Sequence, residues 1–284
     1  IPLIEKFQKM YETMDFYVLY NRFLKKEGYQ TLPRRPLEKR KLRYEDVYPV
    51  LYLKYRLSRQ AERSNIKHLV IDEMQDYSRL QYLIIRRMFS CKMTILGDRA
   101  QTMADQQQDV LQFLPGIFGK DLRRIEMRKS YRNTVEIASY AANLIGVTDL
   151  ELFERHGMPV LERDVTDLEA ALREAVDTLF PDEKTYETAA VIVPDEKTAE
   201  RAYLILREIL AEKDFDCEKR LSWLNRDSSS FKKGLTVTTF YLAKGLEFDQ
   251  VFSIFPKDEK REMMMQAQYI AATRALHELR VYHI

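Results

Sequence analysis

Only two cysteines, Cys91 and Cys217, occur in the 284 residues; they lie far apart without a CxxC partner, and the four histidines show no HExxH spacing. A disulfide scaffold and a structural zinc site are therefore excluded as organising devices, and the thiol content fits a reducing cytoplasm. Long apolar runs are missing too. No stretch approaches the ~18 to 20 residues of a membrane span, and no signal-peptide pattern opens the chain, so no membrane partner is expected. Charge is balanced, with 46 Lys and Arg against 44 Asp and Glu and a net +2. Any contact with a polyanion must come from a local patch. What remains is 45% hydrophobic and 11% aromatic, a packed globular composition long enough for two domains. The first residue is Ile1 rather than Met, which leads us to expect a longer natural chain.

Along the chain, residues 1–28 carry apolar residues at helical spacing and close on Gly28. In QTLPRRPLEKRKLR, Pro33 and Pro36 break the periodicity and Arg34, Arg35, Lys39, Arg40, Lys41 and Arg43 form a basic run. It reads either as a solvated loop or as a phosphate or polymerase contact. YEDVYPVLYLKYRL returns to helical spacing. Two short apolar runs, KHLVIDE and KMTILGD, flank the amphipathic SRLQYLIIRRMF, a strand–helix–strand pattern with polar groups at the strand ends. A second series comes after it: LRRIEM as strand, NTVEIASYAANLIG and LEAALREAVDTLF as helices, AAVIVP as strand, AERAYLILREILAEK as helix, LTVTTFY and QVFSIF as strands, a helix over MMMQAQYIAATRAL, and LRVYHI as the last strand. The expected fold is α/β, with two parallel-sheet domains over 1–122 and 123–284.

Asp72 and Glu73 stand where the run Leu69-Val70-Ile71 ends, with Asp76 close behind. Such a pair can hold Mg²⁺ through one carboxylate while the other accepts a proton from an attacking water; it can equally be a solvated strand end or a helix cap. ILGDRAQT brings Asp98 and Gln101 to the next strand end. In KSYRNT an aromatic ring, Tyr131, adjoins a fixed-charge fork, Arg132. TVTTFYLAKGLEFDQVF offers Lys244, Gly245 and Glu247 in a tight turn, and YIAATRA sets Arg274 on a late helix. Two such arginines can neutralise charge on a transferred phosphoryl group; singly, each could be a surface salt-bridge partner.

In order and wording, VIDEMQDYS, ILGDRAQT, SYRNT, LAKGLEFDQVF and QYIAATRA resemble motifs II to VI of the UvrD/Rep group of superfamily 1 helicases, from about Tyr44 to the end of the chain. DEMQDYS and FYLAKGLEFD are most similar to the HelD-like, RNA-polymerase-associated branch. The resemblance implies two RecA-like domains, ATP and Mg²⁺ as ligands in the cleft between them, a DNA partner, RNA polymerase as a further partner, and a monomer. By motif, Asp72 would coordinate Mg²⁺, Glu73 would activate water, and Gln101 would sense the γ-phosphate. Tyr131 would stack on adenine, Arg132 and Arg274 would contact the γ-phosphate, and Glu247 would bind ribose, with Lys244 and Gly245 in the same turn.

Three departures accompany that resemblance. No GxxxxGK[ST] occurs, so the loop that supplies backbone N–H groups and a lysine to the phosphates is missing. We therefore expect the first RecA-like domain to be truncated, without its P-loop strand, and the fragment alone to be inactive. Residues 102–106, Thr-Met-Ala-Asp-Gln, offer no aromatic for base stacking, and Tyr241 is left as a strand contact or a core residue. The segment EKDFDCEKRLSWLNRDSSSFKKG is too short for a large accessory domain, and Trp223 within it is expected to anchor packing.

Overall fold

The computed structural model describes residues 13, 15–57, 63, 65–98, 101, 109–119, 122–148, 151–180, 186–213, 216–228, 233–257 and 262–284. The chain divides into two units, residues 1–124 and 125–284.

In the first unit, helix α1 (Phe16–Lys26) begins at Asp15, whose carboxylate accepts the Tyr17 and Val18 N–H groups and so satisfies two donors that have no intrahelical partner. Its buried face, Tyr17, Tyr20 and Leu24, packs with Leu32 and with the second helix, α2 (Tyr44–Leu57). The Tyr20 hydroxyl donates to the buried Asp46 carboxylate at 2.9 Å, and burial, then that anionic neighbour, pushes the phenol up to about 12. The part of the expected N-terminal helix over 1–12 lies outside the described residues.

Strands β1 (His68–Ile71) and β2 (Lys92–Ile95) pair in parallel, His68 opposite Lys92 through Ile71 opposite Ile95. Among the described residues β1 is paired on one side only. Helix α3 (Arg79–Met88) connects them and opens with a capping box: Ser78 accepts from the Gln81 backbone while the Gln81 side chain accepts from Ser78. Its Tyr82, fully buried, joins Ile71 and the residues Val110 and Leu114 of α4 (Val110–Phe118) in a small core.

The second unit starts with β3 (Lys129–Ser130), α5 (Val135–Leu144) and β4 (Glu151–Leu152), the two short strands pairing in parallel. Then come β5 (Leu161–Asp164), α6 (Leu168–Asp177), β6 (Thr188–Val193), α7 (Glu196–Ala211), α8 (Cys217–Arg220), β7 (Leu221–Trp223), β8 (Gly234–Thr239), β9 (Phe248–Phe255), α9 (Glu262–Ala272) and β10 (Ala275–His283). Six strands form one parallel sheet in the order β5-β10-β9-β6-β8-β7. The apolar runs of β6 and β9 belong at its centre because a parallel sheet is covered on both faces. Helices α6 and α7 cover it with a continuous core that includes Leu172, Leu206, Val191, Val237 and Phe252, and Trp223 packs there, stacked on Tyr203.

The expected α/β class with parallel strands is what the chain adopts. LRRIEM is not a strand: residues 122–128 make no ladder, and Ile125 and Met127 stay 74% and 86% exposed, so their alternation has no face to bury against. Arg274 is not on the late helix either. That helix ends at Ala272, and Thr273 and Arg274 form a turn before β10, the Arg274 N–H bonding back to Ala271.

Candidate functional site

In the first unit the acid pair sits just beyond the C-terminal end of β1. Asp72 is exposed, and one of its carboxylate oxygens accepts the Glu73 N–H at 2.8 Å. Glu73 itself has φ 50 and ψ 52, a left-handed conformation costing roughly 1 to 2 kcal/mol for a residue with a Cβ. The next three residues hold the strain in place. Met74–Asp76 form a 3₁₀ turn whose Met74 N–H reaches the Leu96 carbonyl at 2.8 Å, while the buried Tyr82 hydroxyl donates to the Met74 carbonyl. Gly97 makes this docking possible, since a Cβ there would lie 2.4 Å from Met74 Cγ and 2.6 Å from the Met74 nitrogen.

A polar relay runs from that turn to the next strand end. Gln75, buried, donates its amide to Glu73 Oε2 at 2.5 Å and accepts the Asp98 N–H at 3.2 Å; Asp98 in turn accepts the Gln101 amide at 2.9 Å. Gln101 is only 6% exposed, and its Oε1 is buried with no hydrogen-bond partner among the described residues. Burying a carbonyl unpaired costs about 1 to 3 kcal/mol, so this oxygen is poised for a donor. Glu73 and Gln101, singled out separately in the sequence, are thus joined through Gln75 and Asp98. The sequence reading did not foresee Gln75. Its position at i+2 from a left-handed residue is where it can turn back onto the glutamate. Asp76 closes the turn and is exposed. Residues 102–106 lie outside the described residues.

Among the described residues no group of three or more His, Cys, Asp or Glu is arranged to hold a metal. The described residues of this unit therefore offer no dedicated protein cage. One exposed carboxylate fits Mg²⁺ that arrives with a phosphate, because that ion keeps several waters and takes only one or two protein carboxylates.

The second unit assembles its residues at the opposite end of a sheet. Glu247 directly precedes β9 and Arg274 directly precedes β10, so both lie at the N-terminal edge of parallel strands. Arg132 Nε meets Glu247 Oε1 at 2.6 Å, with side chains 46% and 42% exposed. Arg274 is 2% exposed; its guanidinium donates to the Ile270 carbonyl, the Leu246 carbonyl and the Thr273 hydroxyl, and its own carbonyl accepts the Phe248 N–H. The backbone either side of Glu247 is thus fixed by Arg274. Gly245 has φ +78 with open space around it, a turn that only glycine enters without strain, and Lys244 stands half-buried beside it. Tyr241 is half-buried edge-on to Phe240.

Tyr131 is 60% exposed and tilts against Phe153 at 5.5 Å, with the Lys129 ammonium over both rings. Two further residues were not read from the sequence. Asn133 donates to the Thr273 and Ala275 carbonyls, and Arg155 donates to the carbonyls of Arg132 and Leu276. Together they bind the segment carrying Tyr131 and Arg132 to the turn carrying Arg274. Asp249 is a structural acceptor: its carboxylate takes the Glu187 N–H, the Thr188 N–H and the Thr188 hydroxyl, fixing the start of β6 beside that of β9.

Residues 4–103 match the sequence family described as the UvrD/REP helicase N-terminal domain. No curated protein matches the chain. Among solved structures, it is similar to the C-terminal domain of a possible DNA helicase from Lactobacillus plantarum WCFS1, with 23% identity, a TM-score of 0.41, and 55% of this chain and 88% of that one covered. It is also similar to the helicase of PRRSV (16% identity, TM-score 0.43, 76% of this chain and 35% of that one). A third is Arterivirus nonstructural protein 10, a helicase in complex with DNA (14% identity, TM-score 0.42, 76% and 39%). The chain spans a little over a third of each viral protein. Asp72, Glu73 and Gln101 fall within the family match; Arg132, Glu247 and Arg274 fall beyond it.

Proposed function

We propose that this chain is part of an ATP-dependent DNA helicase motor, lacking the loop that cradles the phosphates. The observation that carries the reading is the relay Glu73–Gln75–Asp98–Gln101, which couples an acid held in a strained turn to a buried amide oxygen awaiting a partner. A structural strand end needs neither.

In this reading Asp72 holds Mg²⁺, which supplies positive charge to the phosphate oxygens. Glu73 orients a water and accepts its proton, and its left-handed backbone fixes the direction from which it does so. Gln101 would register the terminal phosphate through its amide N–H, because phosphate oxygens only accept; that amide now bonds to Asp98 and so connects to Gln75 and Glu73. Its unpaired Oε1 would take a donor such as the attacking water. From the second unit, Tyr131 stacks on adenine and Arg132 exchanges Glu247 for phosphate, freeing Glu247 for the ribose while Lys244 and Gly245 shape the turn. Arg274 is also assigned to a phosphate contact. Because its guanidinium is buried, reaching a ligand requires it to exchange its contacts with Leu246 and Thr273. Hydrolysis then drives movement along the strand.

The test is ATP turnover, with and without single-stranded DNA, by a form extended upstream in its natural gene. The extended wild type should hydrolyse ATP; its Glu73→Gln variant should still bind ATP but lose about 10² to 10⁴ in rate. Undiminished turnover by the variant would remove the role given to Glu73.

A second reading rests on the short connection between α7 and β8, which among the described residues holds only α8 and β7. That economy favours the HelD-like branch, a factor that binds RNA polymerase and uses ATP state as a switch. Capture of purified RNA polymerase in the absence of nucleic acid distinguishes it.

A further inference from the structure

The chain's cations are not spread evenly. Residues 22–43 hold nine Lys and Arg against two Glu, whereas the whole protein has a net charge of only +2, so the remainder is net acidic. The segment between α1 and α2 is also fixed in shape. Asn21 exchanges two hydrogen bonds with the backbone of the buried Leu32, and the Tyr17 hydroxyl donates to the Pro33 carbonyl at 2.7 Å. Arg40 closes the segment: its guanidinium lies 4.7 Å from the Tyr17 ring centroid, pairs with Asp15 at 2.7 Å and donates to the Arg35 carbonyl at 2.9 Å.

One arginine of the run is therefore spent on holding the others out. Arg34, Arg35, Lys39 and Lys41 are all exposed and none has a carboxylate partner among the described residues; Arg43 has only Glu45, at 3.8 Å. A loop that merely stays solvated needs no such anchoring, since ordering each residue costs about 1 to 2 kcal/mol. Like charges held close together also repel, unless a polyanion offsets them.

We propose that the anchored segment 33–43 is a binding surface for the phosphodiester backbone of nucleic acid. Repeated phosphates match a row of fixed cations, and planar guanidinium groups at Arg34 and Arg35 can each take two phosphate oxygens. Binding releases condensed counterions, so it must weaken steeply with salt. The surface reads no sequence, because it presents forks and point charges toward phosphate rather than toward base edges. The inference stands on charge and anchoring and does not depend on the ATPase reading.

The experiment uses the chain as it is, with fluorescence anisotropy of labelled single-stranded and duplex oligonucleotides over a salt series. Two variants lose the same total charge: Arg34→Ala/Arg35→Ala/Lys39→Ala in the segment, and Lys197→Ala/Arg201→Ala/Arg207→Ala on the exposed face of α7. The first should weaken binding at least about tenfold and reduce the log–log salt slope by about 2 to 3, while the second should change little. Which oligonucleotide binds tighter tells strand from duplex. Equal losses in both variants would mean a diffuse field, and the proposal would fall. It would fall equally if the wild type bound neither oligonucleotide at low salt, or if the segment variant bound normally; capture of an acidic protein through the segment, with nucleic acid binding unaltered, would reassign it. Matching unfolding curves for the three proteins show that the comparison is of surfaces.

Discussion

The side-chain amide of Asn133 donates to the Ala275 carbonyl at 2.6 Å and to the Thr273 carbonyl at 3.3 Å, so a single residue straddles Arg274. Asn133 is buried, and removing its side chain leaves two carbonyls without that donor. Asn133→Ala is expected to destabilise the second unit by about 1 to 3 kcal/mol in urea unfolding. Asn133→Asp should cost more at neutral pH, because a carboxylate would face two carbonyl oxygens with nothing to donate.

Gly97→Ala tests the docking of the acid-bearing turn. A methyl group cannot fit 2.4 Å from Met74 Cγ and 2.6 Å from the Met74 nitrogen, so the turn must retreat from β2. A loss of about 1 to 3 kcal/mol is expected. The variant should also increase hydrogen exchange at the Met74 amide, which bonds to Leu96.

Glu247→Gln should change the stability of the chain by no more than about 1 kcal/mol, since the ion pair with Arg132 is nearly half exposed on both sides. Thermal unfolding at low and high salt checks this. A large loss would show that the pair is a structural clamp rather than an exchangeable one.

Acid stability should depend on Glu136. Its hydrogen bond with His156, then its backbone amide and the Gly157 N–H, hold the carboxyl down at about 2, below the ordinary 4.5. A depressed carboxylate stabilises the folded state fully above its unfolded pKa, and that contribution disappears as pH falls from about 4.5 toward 2. Glu136→Gln should therefore flatten stability against pH across that window, as read from denaturant midpoints.

The sequence carried the strands and the acid pair because an apolar run ending in carboxylates is a local pattern. The central strands β6 and β9 were equally plain, because the runs 189–193 and 251–255 are apolar but for Ser253. Strand β5, LERD, escaped because it lies at the sheet edge, where three of its four residues face solvent. Reading a helix through Arg274 rested on the alanine-rich wording of IAATRA; the backbone turns instead where β10 must begin. Asn133 and Arg155 were invisible for another reason. They bind backbone carbonyls more than a hundred residues away, and a carbonyl has no residue type to recognise.

The two units differ in how much holds them. The second has a sheet of six strands buried under helices, whereas the first has two strands, one open side on β1 among the described residues, and Val70 60% exposed in mid-strand. Their cooperativity must differ accordingly. Heat or denaturant should melt the first unit while the second remains folded, giving two calorimetric transitions where one global stability would be meaningless. Two separate transitions would mean that a mutational free energy measured on this chain belongs to the unit that carries the mutation.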